Sequence, residues 1–215
     1  MHLQIYIVMN DYEQLLKHHG TPIMEEVLKR MNLSKVVMPE GNTSERIPLT
    51  LDNLAKAKAG LQNPCLYRWW VPCESEITQK LLALKLDLPE KRTIGGEECY
   101  VLYFGKSVKG ERRILKQHLR GTARTSTIRH TLYGIVFPGE AYQEVKEKEI
   151  DCLLAGTFFQ WLPFEGEKAT ELIVPLEAIC IALGNYPLNI DGNCAVTKDW
   201  LEHLKTLRQT SKKPK

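Results

Sequence analysis

Three short segments rich in apolar and aromatic residues constrain the fold of this chain more than any other feature. Residues 65–71 are bounded by two prolines, residues 99–104 are bounded by glycines, and residues 157–162 form a third aromatic run. Short aromatic and β-branched runs between proline or glycine residues are typical of β-strands. The sequence therefore predicts three strands, with a helix over about residues 74–86 between the first two.

The apolar residues that follow the second predicted strand recur at helical spacing. The segment after Gly105 predicts a helix with one apolar face, and Ser126 or Thr127 is suited to cap a second helix. The residues predicted to face inward are Ile114, Leu115 and Leu119 in the first helix and Ile128, Leu132 and Ile135 in the second. Further helices are predicted over residues 142–150, 172–183 and 198–207.

The first 60 residues predict a small α/β arm. Alternating apolar residues predict a strand over residues 3–9, followed by helical patterns around 12–18 and 22–31. A loop is expected over residues 39–45, and a helix from Thr50 or Asp52 to Gly60. We divide the chain into this arm of unknown role (1–60), a central domain (61–192), and a C-terminal helix with a basic tail (193–215).

The charge of the chain is concentrated in one window. Eight basic residues and one acidic residue lie between Gly105 and Thr131, which gives this window a charge of +7. The remaining chain holds 21 basic and 25 acidic residues, a charge of −4. This distribution favours a local anionic partner over a surface that is basic throughout. With 43% hydrophobic residues, the chain can form a core, which excludes general disorder.

The cysteines and the N-terminus predict a cytoplasmic protein. The six cysteines include no CxxC pair, and the first residues lack the cationic start and cleavage site of a signal peptide. We expect reduced, buried thiols and neither disulfides nor a zinc site. No segment has the apolar length that crossing a bilayer requires, so no membrane partner is expected.

A tyrosine–glycine motif ends the second predicted strand. It reads Tyr103-Phe104-Gly105, and Arg113 follows the glycine by eight residues. This pattern resembles the core of the GIY-YIG nuclease superfamily. In that family a strand with Gly-Ile-Tyr precedes a strand that ends Tyr-Ile-Gly and a helix arginine at this offset. A glutamate on a later helix and an asparagine about a dozen residues beyond it complete the motif.

The other motif positions are found in the same order, so that the resemblance spans residues 64–189. Tyr67 matches the first tyrosine, and Glu177 and Asn189 stand twelve residues apart. Cys65 replaces the family's first glycine, and Phe104 replaces its isoleucine. The histidine or tyrosine usually found four residues beyond the arginine is here His118, five residues beyond. Pro175 predicts that the helix with Glu177 starts or kinks there, which would place the glutamate in a first turn.

The resemblance implies an α+β fold, a small three-stranded antiparallel sheet flanked by helices, with the α/β arm in front. It also implies metal-dependent hydrolysis of DNA phosphodiester bonds. Glu177 would then bind Mg²⁺ (or Mn²⁺), and Arg113 would hold the scissile phosphate. Tyr67 or Lys106 would accept the proton of the attacking water, with the family favouring Tyr67, and Tyr103 would orient water and phosphate.

The arginines and small hydroxyl residues over 120–129 predict a surface that contacts DNA phosphates without reading bases. The predicted nucleic-acid-binding residues are His118, Arg120, Arg124, Ser126, Arg129 and Asn189. Two alternatives remain open from the sequence: a binding module that has kept the fold and lost turnover, and a protein-interaction scaffold whose basic face meets an acidic partner. DNA specificity and oligomeric state are not predicted.

Overall fold

The computed structural model describes residues 2–37, 50–51, 61–86, 88–89, 91–94 and 96–210. Its strands are β1 Asn32–Val37, β2 Thr50–Leu51, β3 Cys65–Pro72, β4 Arg92–Ile94, β5 Glu97–Ser107 and β6 Phe158–Pro163. Its helices are α1 His2–Lys29, α2 Glu76–Ala83, α3 Glu111–Leu119, α4 Thr127–Val136, α5 Glu147–Leu154, α6 Ala169–Leu183 and α7 Lys198–Thr210. Helix α3 is π-helical, and a short 3₁₀ turn, Glu144–Lys146, precedes α5.

In the described part of the chain, the strands form one sheet in the order β2-β1-β6-β3-β5-β4. Every neighbouring pair is antiparallel. The three strands predicted from the sequence are its centre, β6-β3-β5. The predicted fold class, α+β with a small antiparallel sheet flanked by helices, is confirmed, and β1, β2 and β4 extend the sheet beyond the three predicted strands.

The central strand β3 is buried on both faces. Because side chains alternate along a strand, Tyr67 and Trp69 enter the larger core, whereas Leu66 enters a second core on the opposite face. Tyr103 of β5 lies in the same core as Tyr67. The pairing of β3 with β5 therefore brings the two motif tyrosines to one face of the sheet.

The helices after β5 follow the sequence predictions closely. Helix α3 buries the three predicted residues and also His118, and α4 buries its three predicted residues. Ser126 caps α4, since its Oγ accepts a hydrogen bond from the backbone N–H of Arg129 at 3.2 Å. This cap fixes where the loop after α3 ends and α4 begins.

The N-terminal segment corrects one prediction. Residues 3–9 belong to helix α1 and do not form a strand. A short apolar run does not distinguish a strand from a helix by its period alone, and Leu3 and Ile7 also have the four-residue spacing of a helix face. The predicted loop over 39–45 and most of the helix predicted after Thr50 lie outside the described residues, while Thr50 itself lies in β2. The proposed domain boundaries stay a prediction.

Helix α6 also differs from its sequence prediction. It begins at Ala169 and continues through Pro175, so Glu177 lies near the middle of the helix and not in its first turn. The N-terminal end of the helix dipole therefore does not act on this carboxylate.

The six cysteines are free thiols, of which Cys152 and Cys194 are exposed and the other four are buried. No helix among the described residues is both long enough and apolar enough to span a bilayer.

Candidate active site

Tyr67 and Tyr103 form the centre of the candidate site. Their rings are stacked with centroids 6.1 Å apart, and both side chains are almost fully buried. Tyr67 stands directly opposite Gly105 in the β3–β5 ladder. A Cβ atom at residue 105 would lie 2.7 Å from the Tyr67 hydroxyl and 2.9 Å from the Tyr103 ring. The glycine of the motif is therefore required because both tyrosines pack against its Cα.

Arg113 reaches these tyrosines from α3. Its Nη1 donates to Gln117 Oε1 at 2.9 Å, and its Nη2 donates to Thr127 Oγ1 at 3.0 Å. Partial burial lowers the pKa of Arg113, but its electrostatic interactions and hydrogen bonds with Tyr67 and Tyr103 outweigh this effect and raise it. Arg113 is thus a permanent cation held in place by two neutral side chains beside the two phenols.

Both phenols are neutral. Burial, and then the neighbouring Tyr103, raise the pKa of Tyr67 well above its usual 10, and Arg113 offsets only part of this shift. Burial likewise raises the pKa of Tyr103, with Arg113 opposing and Glu177 adding to the shift. Tyr67 can therefore act as a base only if a neighbouring group accepts its own proton.

His118 is the group to which Tyr67 is hydrogen-bonded. Its Nε2 lies 2.8 Å from the Tyr67 hydroxyl, and its Nδ1 lies 2.6 Å from Ser126 Oγ. Burial, together with the charges of Arg113 and Arg129, lowers the pKa of His118 well below 6.5, so the imidazole is neutral. With the proton assigned to Nδ1, which donates to Ser126, Nε2 accepts the hydrogen bond of Tyr67.

The π-helical geometry of α3 explains the position of His118 in the sequence. A π-helix is wound with hydrogen bonds five residues apart, one residue wider than in an α-helix. His118 therefore takes the place on the helix face that the fourth residue after Arg113 would occupy in a regular α-helix. The five-residue offset, which departs from the family pattern, still directs both side chains to Tyr67.

Lys106 and Glu177 form an ion pair at the edge of this cluster. The Glu177 side chain is 17% exposed. Because its charge contributes to the raised pKa of Tyr103, Glu177 lies within electrostatic reach of that phenol. Glu171, the other acidic residue of α6, is exposed. The ion pair thus joins helix α6 to the end of β5.

The donor atoms at this site suit a metal ion shared with a substrate. No cluster of three or more His, Cys, Asp or Glu side chains that could hold a metal exists within the described ranges. One carboxylate, Glu177, supplies a hard oxygen ligand, which fits Mg²⁺ because this ion keeps several waters and takes substrate phosphate as a further ligand. Glu177 is the residue that would hold such an ion.

Four of the predicted nucleic-acid-binding residues are buried and engaged within the protein, which corrects the prediction that their side chains form an exposed DNA-contacting surface. These residues are His118, Ser126, Arg129 and Asn189. His118 and Ser126 form the hydrogen-bonded chain behind Tyr67. Asn189 bonds through its amide to both backbone groups of Phe104, at 2.8 Å each.

Arg129 is the most informative of these corrections. It is fully buried and pairs with Glu147 at 3.0 Å and with Asp151, both from α5. It also donates to the backbone carbonyls of His118 at 2.6 Å and Leu119 at 2.7 Å. Arg129 therefore fixes the end of α3, and with it the backbone of His118, and has no surface to offer a phosphate.

Arg120 and Arg124 are exposed, as a phosphate-contacting surface requires. The guanidinium of Arg124 lies 4.4 Å from the centre of the Tyr142 ring. A groove of about 360 Å³ beside the tyrosine cluster is lined by Lys109, Arg112 and Arg113, among others. The cationic surface thus begins at the candidate site.

Three residues near the site were not predicted from the sequence. Gln117 and Thr127 both accept hydrogen bonds from Arg113. Gln117 follows Arg113 by four residues, so helical spacing could have indicated it as a partner. Arg208, on α7, is close enough to Tyr103 for its charge to act on the pKa of that phenol. The sequence places Arg208 in the C-terminal segment, outside the central domain, and no local pattern indicates that it lies near the site.

The structure thus places Tyr67, Tyr103, Arg113 and the Lys106–Glu177 pair in one cluster. No curated protein matches the chain, and no solved structure matches it. The sequence model of the GIY-YIG catalytic domain matches residues 65–210. This family consists of nucleases that generally use divalent metal ions, so the general class of activity is endonucleolytic cleavage and the substrate is a nucleic acid. The match covers more than half of the chain, and the chain therefore belongs to the GIY-YIG catalytic domain family.

Proposed function

We propose that this protein is a Mg²⁺-dependent endonuclease (with Mn²⁺ able to substitute) that hydrolyses phosphodiester bonds in DNA. The residues that carry the reaction are Tyr67, Tyr103, Lys106, Arg113 and Glu177. The observation that supports this proposal most is the packing of both tyrosines against Gly105, within reach of the Arg113 guanidinium.

Arg113 binds the scissile phosphate and opposes the charge that develops on it. Two of its N–H groups are engaged by Gln117 and Thr127, which orients the planar guanidinium before substrate arrives. Preorganised donors of this kind are worth about 10²- to 10³-fold in rate. Tyr103 donates a hydrogen bond from its hydroxyl group and thereby orients a phosphate oxygen or the attacking water.

Tyr67 accepts the proton of the attacking water. Because the phenol is neutral, its own proton passes to His118 Nε2 as the water proton arrives at its oxygen. The new imidazolium would lie near the cations Arg113 and Arg129, a cost that the arriving phosphate charge offsets. Lys106 is ion-paired with Glu177, whereas the Tyr67 hydroxyl is hydrogen-bonded to His118 Nε2, which favours Tyr67 over Lys106 as the base.

Glu177 would hold the divalent ion, which when bound would supply positive charge to stabilise the departing 3′-oxygen. The ion pair with Lys106 keeps the carboxylate in place when the ion is absent. A site with a single protein carboxylate predicts weak metal binding without nucleic acid.

A plasmid-nicking assay tests this proposal. Supercoiled DNA is incubated with the full chain in Mg²⁺, Mn²⁺ or excess chelator, beside the variants Arg113→Ala and Glu177→Gln. Glu171→Gln is the matched control, because it removes an exposed carboxylate from the same helix. We expect metal-dependent nicking by the wild type and by the control, and none by the two site variants. Nicking that survives both substitutions contradicts the assignment, and binding without nicking by the wild type favours a non-catalytic module.

A further inference from the structure

We propose that the C-terminal helix α7 supplies a phosphate-binding subsite for the nucleic-acid strand, through Lys205 and Arg208. This inference rests on the proposed function, since it assigns a path to the substrate of that site. In this proposal, residues of α7 make the phosphate contact that the sequence predicted for Arg129.

The subsite is a groove between three parts of the chain. The start of α4, the turn at residues 190–191 and the last turns of α7 enclose about 470 Å³. Arg124, Lys205 and Arg208 line the groove with positive charge, and Asp191 is the acidic residue among the lining side chains. The balance of these four charges is +2, which suits a phosphodiester backbone.

The groove adjoins the candidate active site through Thr127. Thr127 lines it and accepts the hydrogen bond of Arg113 Nη2 at 3.0 Å, so the two sites share a wall. Arg208 also lies close to the centre, since its cationic charge opposes the rise in the pKa of Tyr103. A strand whose scissile phosphate contacts Arg113 therefore places a neighbouring phosphate in the groove.

Arg208 is held in a defined orientation. Its Nε donates to Thr131 Oγ1 at 2.7 Å, and its Nη2 donates to the carbonyl of Leu188 at 3.2 Å. Lys205 is more exposed and pairs with Glu202 at 2.7 Å, an i,i+3 surface pair of the kind that contributes little energy. A phosphate can therefore compete for Lys205 at small cost, whereas Arg208 offers a fixed cationic wall.

A second cationic groove lies at Arg113 itself. It contains Lys109 and Arg112 beside Arg113. Arg113 lines this second groove and donates to Thr127, which lines the first, so Arg113 connects the two cationic grooves. Contacts of this kind fix the register of the strand and do not read its bases.

Fluorescence anisotropy with a labelled duplex of about 30 base pairs tests the subsite, in chelator so that binding is measured without cleavage. The full chain is compared with Lys205→Gln, with Arg208→Gln and with the double variant. Lys198→Gln is the matched control, since it removes an exposed charge from the same helix outside the groove. Titrations at several salt concentrations give the slope of log affinity against log salt, and urea unfolding of each variant reports its stability.

Each lost phosphate contact reduces the slope by about 0.9, which corresponds to about eightfold weaker binding at 0.1 M salt. We expect this change for Lys205→Gln and Arg208→Gln, and none for Lys198→Gln. If Arg208→Gln unfolds, Lys205→Gln alone decides the result. If the slopes of Lys205→Gln and Arg208→Gln equal that of Lys198→Gln, the subsite proposal is overturned. The proposed function still stands in that case if the wild type nicks DNA. If the wild type neither binds nor nicks DNA, the proposed function fails, and the subsite fails with it.

Discussion

Replacing Asn189 by alanine separates two roles for this residue, a phosphate contact and a structural brace. Asn189 Oδ1 accepts a hydrogen bond from the Phe104 N–H, and Nδ2 donates one to the Phe104 carbonyl, both at 2.8 Å. The adjacent Leu188 N–H donates to the Leu102 carbonyl at 2.9 Å. Residues 188–189 therefore complete the hydrogen bonding of β5 at Leu102 and Phe104, the two residues on either side of Tyr103.

The expected magnitude follows from the two backbone groups that the substitution leaves unpaired. An unsatisfied buried group costs about 1–3 kcal/mol, so Asn189→Ala is expected to lower the free energy of unfolding by about 3 kcal/mol. For a chain of this size that corresponds to a fall in Tm of about 6–12 °C. Urea unfolding followed by tryptophan fluorescence measures the change. Gln79→Ala, an exposed residue of α2, serves as the control and is expected to stay within about 0.5 kcal/mol.

The salt dependence of DNA binding completes the test of Asn189. A buried brace leaves the slope of log affinity against log salt unchanged when it is removed. A stability loss below about 0.5 kcal/mol, combined with a slope reduced by about 0.9, would refute the reasoning and restore the contact that the sequence predicted.

Two further predictions test the tyrosine cluster. Gly105→Ala introduces a Cβ 2.7 Å from the Tyr67 hydroxyl, so we expect the free energy of unfolding in urea to fall by about 1–3 kcal/mol and nicking to be lost. A stable and fully active variant would contradict the packing of the tyrosines against Gly105. The pKa of His118 is lower in the folded state than its usual 6.5, so below pH 6.5 the unfolded chain takes up a proton that the folded protein does not. The contribution of His118 to the free energy of unfolding is therefore complete above pH 6.5 and falls below it, by up to about 1.4 kcal/mol per pH unit. His118→Asn removes this component, so the stability gap between variant and wild type should narrow from pH 7 to pH 5. Parallel curves contradict this, and His203→Gln, an exposed histidine, is the control.

The sheet centre and the tyrosine cluster could be predicted because their signals are local. The apolar runs flanked by proline and glycine, the Ser126 cap and the spacing from Gly105 to Arg113 are each encoded within a few residues, although β5 continues through Gly105 to Ser107. The sequence did not reveal that β1 pairs with β6, because that pairing joins segments more than 100 residues apart. Nor did it distinguish a strand from a helix over residues 3–9.

The orientation of the basic residues was the harder problem. Arg129 lies in the same charged window as Arg124, yet it faces inward because Glu147 and Asp151 reach it from α5. A count of charges cannot show that two acidic residues outside the window neutralise one of its arginines. For the same reason, the window gave no indication that Arg208, far along the chain, joins the cationic surface.

The most direct measurement for the account as a whole is the single-turnover cleavage rate of Arg113→Ala at saturating DNA and divalent metal. DNA affinity is measured in parallel, so that weaker binding is separated from slower chemistry. The account predicts a rate at least about 100-fold below that of the wild type, because the guanidinium acts on charge that develops in the transition state. A rate within about threefold of the wild type at full saturation would contradict the assignment of this cluster as the nuclease site.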